Sequence, residues 1–159
     1  MIGMPNSKLL TIAVPAYNAA SYLHTCLDSL IRSGDEVEVL VVNDGSKDGT
    51  LQVARDYAER YPGIVVAVDQ ENRNWGGAVN HALELASGTF FYIVDSDDWL
   101  DSAKLTEVVS RLRMLEEQQA GVDLYMVNYV YNRVENGDRH TISYEKLLPS
   151  DKVVGWDAM

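Results

Sequence analysis

The stretch Phe90-Phe91-Tyr92-Ile93-Val94-Asp95-Ser96-Asp97-Asp98 decides how this chain is read. Its apolar half has the length and composition of a buried strand. Side chains two apart on a strand point to one side, so Asp95 and Asp97 are expected to project together from the strand's carboxyl end. Two carboxylates there make a poor core and a good seat for a hard divalent cation, Mg²⁺ or Mn²⁺. A helix cap accounts for one of them at most, and Asp101 can already cap the next helix.

Upstream of this stretch, strand and helix patterns alternate. Leu10, Ile12 and Val14 mark a first strand that Pro15 stops. Tyr22/Leu23, Cys26/Leu27 and Leu30/Ile31 recur at helical spacing and end at Gly34. Val37 to Val42 is a second strand, near-continuous in apolar residues, as when both faces are covered. Leu51, Ala54, Tyr57, Ala58 and Tyr61 mark a second helix, with Pro62-Gly63 after it. Ile64 to Val68 is a third strand. Ala78, Ala82, Leu83 and Ala86 line a third helix, and Gly88 is its stop signal. Phe90 to Val94 is the fourth strand. Asp101 or Ser102 then caps a fourth helix with the stripe Leu105, Val108/Val109, Leu112 and Leu115. Beyond Gln119 the alternation ceases. Val122 to Tyr131 reads as a strand, Asn136-Gly137 as a hairpin turn and Thr141 to Tyr144 as the returning strand. Ser150 to Met159 has no clear pattern, which suggests a fragment of a longer protein.

Repeated alternation of this kind predicts an α/β fold: a mostly parallel sheet flanked by helices, joined by right-handed crossovers, with a short antiparallel C-terminal part. One domain spans 1–159, with βα units over about 9–115 and a second portion from about 120. Ligands of such sheets bind beyond the carboxyl ends of the strands. Four polar segments are expected to converge there: Pro15-Ala16-Tyr17-Asn18, Asn43-Asp44-Gly45-Ser46, Asp69-Gln70-Glu71-Asn72 and Asp95-Ser96-Asp97-Asp98.

The 159 residues carry 24 acidic and 13 basic side chains, a net charge of −11. A nucleic-acid binder would carry a basic face, so this balance argues against nucleic acid as a partner. It also means that an anionic ligand needs a metal or backbone donors to offset the field. Cys26 is the only cysteine, which rules out an intrachain disulfide, and its spacing reads as a small buried hydrophobe. Met1 to Lys8 lacks the pattern of a secretory signal, and no apolar run approaches a bilayer span. His24, His81 and His140 have no metal-ligand spacing, and no serine or cysteine triad is readable.

Asp44 is left over at the end of the second strand once Gly45, Asp48, Gly49 and Thr50 have made the turn into the helix. A carboxylate there can accept from a base N–H. Tyr17, with Pro15 and Ala16, offers a shelf for a planar base, while Asn18 can equally cap the first helix. Asn72 to Ala78 opens the third helix with the paired glycines Gly76 and Gly77. That can mark an anion site or merely a flexible entry. It is not the dinucleotide fingerprint, because no Gly-x-Gly-x-x-Gly follows the first strand. Trp99 reads as core packing or a sugar-stacking face.

Taken together these residues resemble the family-2 glycosyltransferases of the GT-A fold, and more narrowly the bacterial branch that builds surface polysaccharides. The matching stretches are Thr11 to Asn18, Val41 to Thr50, Asn72 with Ala78-Val79-Asn80, Ala86-Ser87-Gly88, and Val94 to Leu100. The resemblance implies a nucleotide-diphospho-sugar donor, often UDP-linked, a saccharide or lipid-linked acceptor, and inversion at the anomeric carbon. It implies that Pro15, Ala16, Tyr17 and Asp44 hold the base. It places Asp95 near the ribose and metal, makes Asp97 a metal ligand, and adds Asn18, Asn72, Asn80 and Ser96 to the donor site. It also implies a cytoplasmic location, with peripheral association at the inner membrane face, where donors are supplied.

Two positions depart from the family's usual pattern: Asn43 stands for an aspartate and Val79 for an arginine, with Arg73 as a nearby substitute. The catalytic base is expected beyond Met159, since Asp138, Asp151 and Asp157 lack its usual context. Two other readings remain open. One is a module that binds a nucleotide sugar without turnover. The other is an Asp-x-Asp phosphatase, against which Trp99 and the position of the motif after the fourth strand both speak.

Overall fold

The apolar run Leu10–Ala16 forms β1, and all seven of its residues are buried. The computed structural model describes residues 8–133, 137–146 and 152–155. The order of elements follows the sequence pattern: α1 (Leu23–Leu30), β2 (Val37–Asp44), α2 (Thr50–Arg60), β3 (Val65–Gln70), α3 (Asn74–Leu85), β4 (Phe90–Ile93), α4 (Ser102–Glu117), β5 (Tyr129–Arg133) and β6 (Asp138–Ile142). The first four strands make one parallel sheet in the order β3-β2-β1-β4. The chain winds outward from β1 through β2 to β3, then returns to place β4 on the other side of β1. The strand order therefore reverses between β1 and β4, and a crevice opens at the carboxyl ends of a sheet at such a reversal.

The two middle strands, β1 and β2, are buried along their whole length. Helices pack on both faces of a parallel sheet, which is why these strands tolerate so few polar side chains. α1 contributes Leu23, Cys26, Leu27 and Leu30. α3 faces the sheet with Ala78 and Ala82, packed with Ala13, Leu40 and Val42. Leu27 is fully buried, and Leu27→Ala would cost about 2–5 kcal/mol through lost burial and the cavity left behind.

At the amino end of β1 and β2 a buried polar knot replaces apolar packing. Thr11 Oγ1 donates to Glu38 Oε1 at 2.6 Å, and the amide and hydroxyl of Ser87 donate to the same oxygen. The Gly88 amide closes the knot on Thr11 Oγ1. A Cβ at Gly88 would lie 2.5 Å from the Thr11 nitrogen, so Gly88 is held by close backbone approach and not only by its place after a helix.

Several boundaries differ from the sequence expectation. Pro15 does not stop β1, which runs on to Ala16 and pairs there with β2. The ladder to β4 ends at Ala13, so past that point β1 has an open side, the setting in which a strand accepts proline. β2 extends through Asn43 and Asp44, and β3 through Asp69 and Gln70. Asn18 is not a helix cap: it adopts φ 52° five residues before α1 begins, whereas Asp101 does cap α4 by accepting from the amides of Ala103 and Lys104. Of Val122 to Tyr131 only Tyr129 onward is strand, because among the described residues β6 is the sole partner of β5 and the two match over five residues each. The return strand is Asp138–Ile142 rather than Thr141 to Tyr144. Asn136, Asp151 and most of the patternless tail lie outside the described residues, as does Asp157. The chain divides into two units, Met1–Arg113 and Met114–Met159, and the four-stranded sheet belongs to the first. No helix among the described residues is long and apolar enough to cross a membrane.

Candidate functional site

A cleft of about 1270 Å³ opens at the carboxyl ends of β1, β2 and β3. All four polar segments singled out in the sequence reach it. Pro15, Ala16 and Tyr17 line one side, Asn43 to Lys47 and Asp69 to Asn72 the floor, Asn74 and Trp75 the entry to α3, and Asp95, Ser96 and Asp97 the far wall.

Tyr17 is half exposed, and the residues that follow it are fixed by hydrogen bonds between two loops. The Asn18 amide donates to Ser46 Oγ and the Lys47 amide donates to Asn18 Oδ1. The amides of Ala19 and Ala20 donate to Thr50 Oγ1 and Asp48 Oδ2. Asn18 is thus spent on holding the shelf and does not line the cleft. The Thr50 hydroxyl, followed by backbone amides, holds the Asp48 carboxyl below its usual range.

Asp44 lies at the end of β2, almost fully buried. Its Oδ1 accepts from Gln70 Nε2 and from the Arg73 amide, both at 2.7 Å, while Asn72 Nδ2 donates to its backbone carbonyl. Gln70 Oε1 in turn meets His81 Nδ1 at 2.6 Å. Asp44 is therefore a joint between β2 and the entry of α3 as well as a wall of the cleft. Gly45, at φ 69°, passes so close to Asn72 that a Cβ would sit 2.8 Å from the Asn72 nitrogen. Beside Asp44, Asn43 donates through Nδ2 to Asp69 Oδ1, and its own Oδ1 has no partner among the described residues.

The aspartate segment is a turn and not a strand continuation. The Asp98 amide donates to the Asp95 carbonyl, and Ser96 between them is buried. Both Asp95 and Asp97 reach the cleft, but their surroundings differ. Asp95 Oδ1 accepts the indole N–H of Trp75 at 2.7 Å. Asp97 accepts from nothing among the described residues. Asp98, outside the cleft lining, has its carboxyl raised first by burial and then by Asp97 and Asp95. Under the turn, burial, followed by the three aspartates, pushes the Cys26 thiol up to about 12.

Five carboxylates, Asp44, Asp69, Glu71, Asp95 and Asp97, face this cleft against one ammonium, Lys47. An anion entering it needs a counter-charge. Among the described residues no three His, Cys, Asp or Glu side chains stand together as a full metal cage. Asp97, which accepts from no described residue, and the half-engaged Asp95 are oxygen donors of the kind a hard cation takes.

Other residues singled out in the sequence stand apart from the cleft lining, as Asn18 does. Asn80 is exposed on α3 and does not line the cleft. Arg73 does not line it either. The paired glycines do not simply open the helix end to an anion, because a Cβ at Gly77 would fall 2.3 Å from Arg73 Cβ, so that space belongs to the arginine stem. Gln70, within a segment the sequence brings to this edge, and Trp75, within the stretch that opens α3, were given no role of their own, yet they complete the walls through contacts whose partners are 26 and 20 residues away.

Residues 11–155 match glycosyl transferase family 2. EpsH of Bacillus subtilis, a putative glycosyltransferase, is 33% identical over 129 residues, 80% of this chain and 36% of that protein. TarS of S. aureus, solved with UDP-GlcNAc, superposes with a TM-score of 0.61 at 30% identity, covering 68% of this chain and 32% of the other. A mannosyltransferase of Pyrobaculum calidifontis, solved with GDP-Man and Mn²⁺, gives a TM-score of 0.56 at 32% identity over 63% of this chain and 31% of its own. The chain spans about a third or less of the length of the curated relatives it matches.

Proposed function

The chain belongs to glycosyl transferase family 2, and on that premise we propose that its cleft binds a UDP-linked sugar for metal-assisted transfer to a saccharide or lipid-linked acceptor, with inversion. The observation that carries this reading is Asp97, a carboxylate with no partner among the described residues, one of five at the strand-order reversal. A carboxylate left open in an already acidic cleft has its use when a cation and a diphosphate arrive together.

In this reading the base lies on the Pro15–Tyr17 shelf, with Asp44, Asn72 and Ser96 bordering the nucleotide. Asp97, assisted by Asp95, would hold Mn²⁺ or Mg²⁺, whose chemistry is to neutralise charge on the leaving diphosphate. Transfer forms a bond from the acceptor oxygen to the anomeric carbon while the bond to the phosphate oxygen breaks. The electron pair leaves with the nucleoside diphosphate, and the acceptor proton passes to a base outside the cleft residues named here. Donor supply would set this chemistry at the cytoplasmic face of the membrane.

Calorimetric titration of UDP, with GDP and dTDP as comparators, tests the reading with and without Mn²⁺. Metal-dependent binding of UDP, lost in Asp97→Ala, is the expected result. Binding of no nucleotide by the folded chain would sink it. Donor binding without transfer to any acceptor would favour a binding module instead.

A further inference from the structure

The contact between Trp75 and Asp95 has no role in the reading above, yet it ties together two parts of the cleft that the backbone leaves separate. Trp75 sits in the first turn of α3, and the residue remains 55% exposed on the cleft wall. A tryptophan normally gains by burying its large ring. Here the ring stays open while the Nε1–H is spent on a carboxylate.

Both sides of the contact are held in place. The entry to α3 is anchored on β2, since the Arg73 amide and Asn72 Nδ2 both bond to Asp44. Asn74 carries the chain through the left-handed region at φ 62° immediately before Trp75. On the other side the Asp95 carbonyl accepts the Asp98 amide and lies 3.8 Å from Cys26 Sγ. With that backbone fixed, the freedom left to Asp95 is rotation of its side chain, and the indole N–H removes it.

We propose that Trp75 is a positioning residue that makes the two cleft aspartates unequal: it fixes the Asp95 carboxylate in one orientation and occupies one of its oxygens, leaving Asp97 as the open ligand. The proposal rests on the donor-site reading. Without the indole donor, Asp95 would turn freely beside Asp97 and the pair would no longer be set for one cation.

Trp75→Phe keeps an aromatic ring and removes the donor. UDP affinity in Mn²⁺ should fall about tenfold, the lower end of what losing a ligand's hydrogen-bond partner costs a metal site. A second readout needs no change at position 75. The chain has three tryptophans, so three indole N–H resonances are expected, and Trp99→Phe and Trp156→Phe assign the third to Trp75 by elimination. Saturation of the otherwise unaltered chain with UDP and Mn²⁺ should broaden the Trp75 resonance through the paramagnetic ion at Asp95 and Asp97. Unchanged Mn²⁺-dependent affinity in Trp75→Phe would overturn the proposal while leaving the donor site standing, whereas a sharp Trp75 resonance in the saturated complex would put the ion away from Asp95 and Asp97 and overturn both. Failure of the unmutated chain to bind UDP at all would remove the donor site and this proposal with it.

Discussion

The two ends of the β1–β2 pair use carboxylates in opposite ways. At the amino end, Glu38 is buried and one of its oxygens accepts from Thr11 and twice from Ser87. At the carboxyl end, Asp97 is exposed to the cleft and accepts from nothing among the described residues. A buried carboxylate is tolerable only when hydrogen bonds replace its water. Once they do, it has little left to offer a ligand. Glu38→Ala would strip the acceptor from an amide and two hydroxyls at once and should cost about 3 kcal/mol of stability in urea unfolding. Glu38→Gln keeps an acceptor oxygen and should cost about 1 kcal/mol. Neither should alter the UDP affinity of the folded fraction. Equal losses from the two variants would break the contrast, because the saturated oxygen would then not be what matters.

Asp44 lies between these extremes. It is almost buried and holds Gln70 and the Arg73 amide, yet it borders the cleft. Asp44→Ala should therefore lose on both counts: about 2 kcal/mol of stability from two orphaned donors, and about tenfold in UDP affinity. A variant that loses affinity at full stability would move Asp44 to the ligand side of the comparison. One that loses only stability would move it to the side of Glu38.

Cys26 shows the same end of the sheet from beneath. Its thiol is raised from 9.0 to about 12, first by burial and then by Asp98, Asp97 and Asp95. The unfolded chain releases this proton near pH 9 while the folded chain keeps it, so the unfolded state binds fewer protons and stability falls as pH rises from about 9 towards 12. Compared with Cys26→Ala, the unmutated chain should lose an extra ~1 kcal/mol between pH 8 and 10. Parallel pH profiles would place the thiol in a more open setting than its burial indicates.

The alternation of apolar runs and helical stripes was legible because period 2 and period 3.6 are local properties of the chain. Hence every strand of the parallel sheet was located to within about two residues, the usual uncertainty at element ends. What sequence could not carry was pairing. Whether Pro15 ends a strand depends on where β4 stops, and whether Val122 to Tyr131 is strand depends on a partner of limited length. The site divides in the same way. Asp44, Asp95 and Asp97 stand at strand ends and could be read there. Asn80 was carried over from family resemblance onto a position of α3 that does not line the cleft. Trp75 was missed because its partner lies 20 residues off. Ser87 and Gly88 matched the family pattern without disclosing that their work is structural, which only the Glu38 contacts reveal.

The smallest effect expected is the most direct test of the contrast, because its sign is reversed. The Asp98 carboxyl is raised above 3.8 by burial first, then by Asp97, then by Asp95. At neutral pH the folded state bears the cost of ionising it and the unfolded state does not. That penalty disappears as pH falls below 3.8, where both states are protonated. Asp97→Ala removes the second cause, so it should stabilise the chain at pH 7. Solvent screens these side chains, which limits the gain to about 0.5 kcal/mol. It should shrink in molar salt, where the Debye length falls to about 3 Å, and vanish in acid. The same substitution should abolish metal-dependent UDP binding. Glu38→Ala would then cost stability and spare the ligand, whereas Asp97→Ala would gain stability and lose the ligand, as expected where binding groups are held at some expense to the fold. A loss of stability in Asp97→Ala at pH 7 would mean that Asp97 serves the fold after all, and the open carboxylate on which the binding argument stands would not be open.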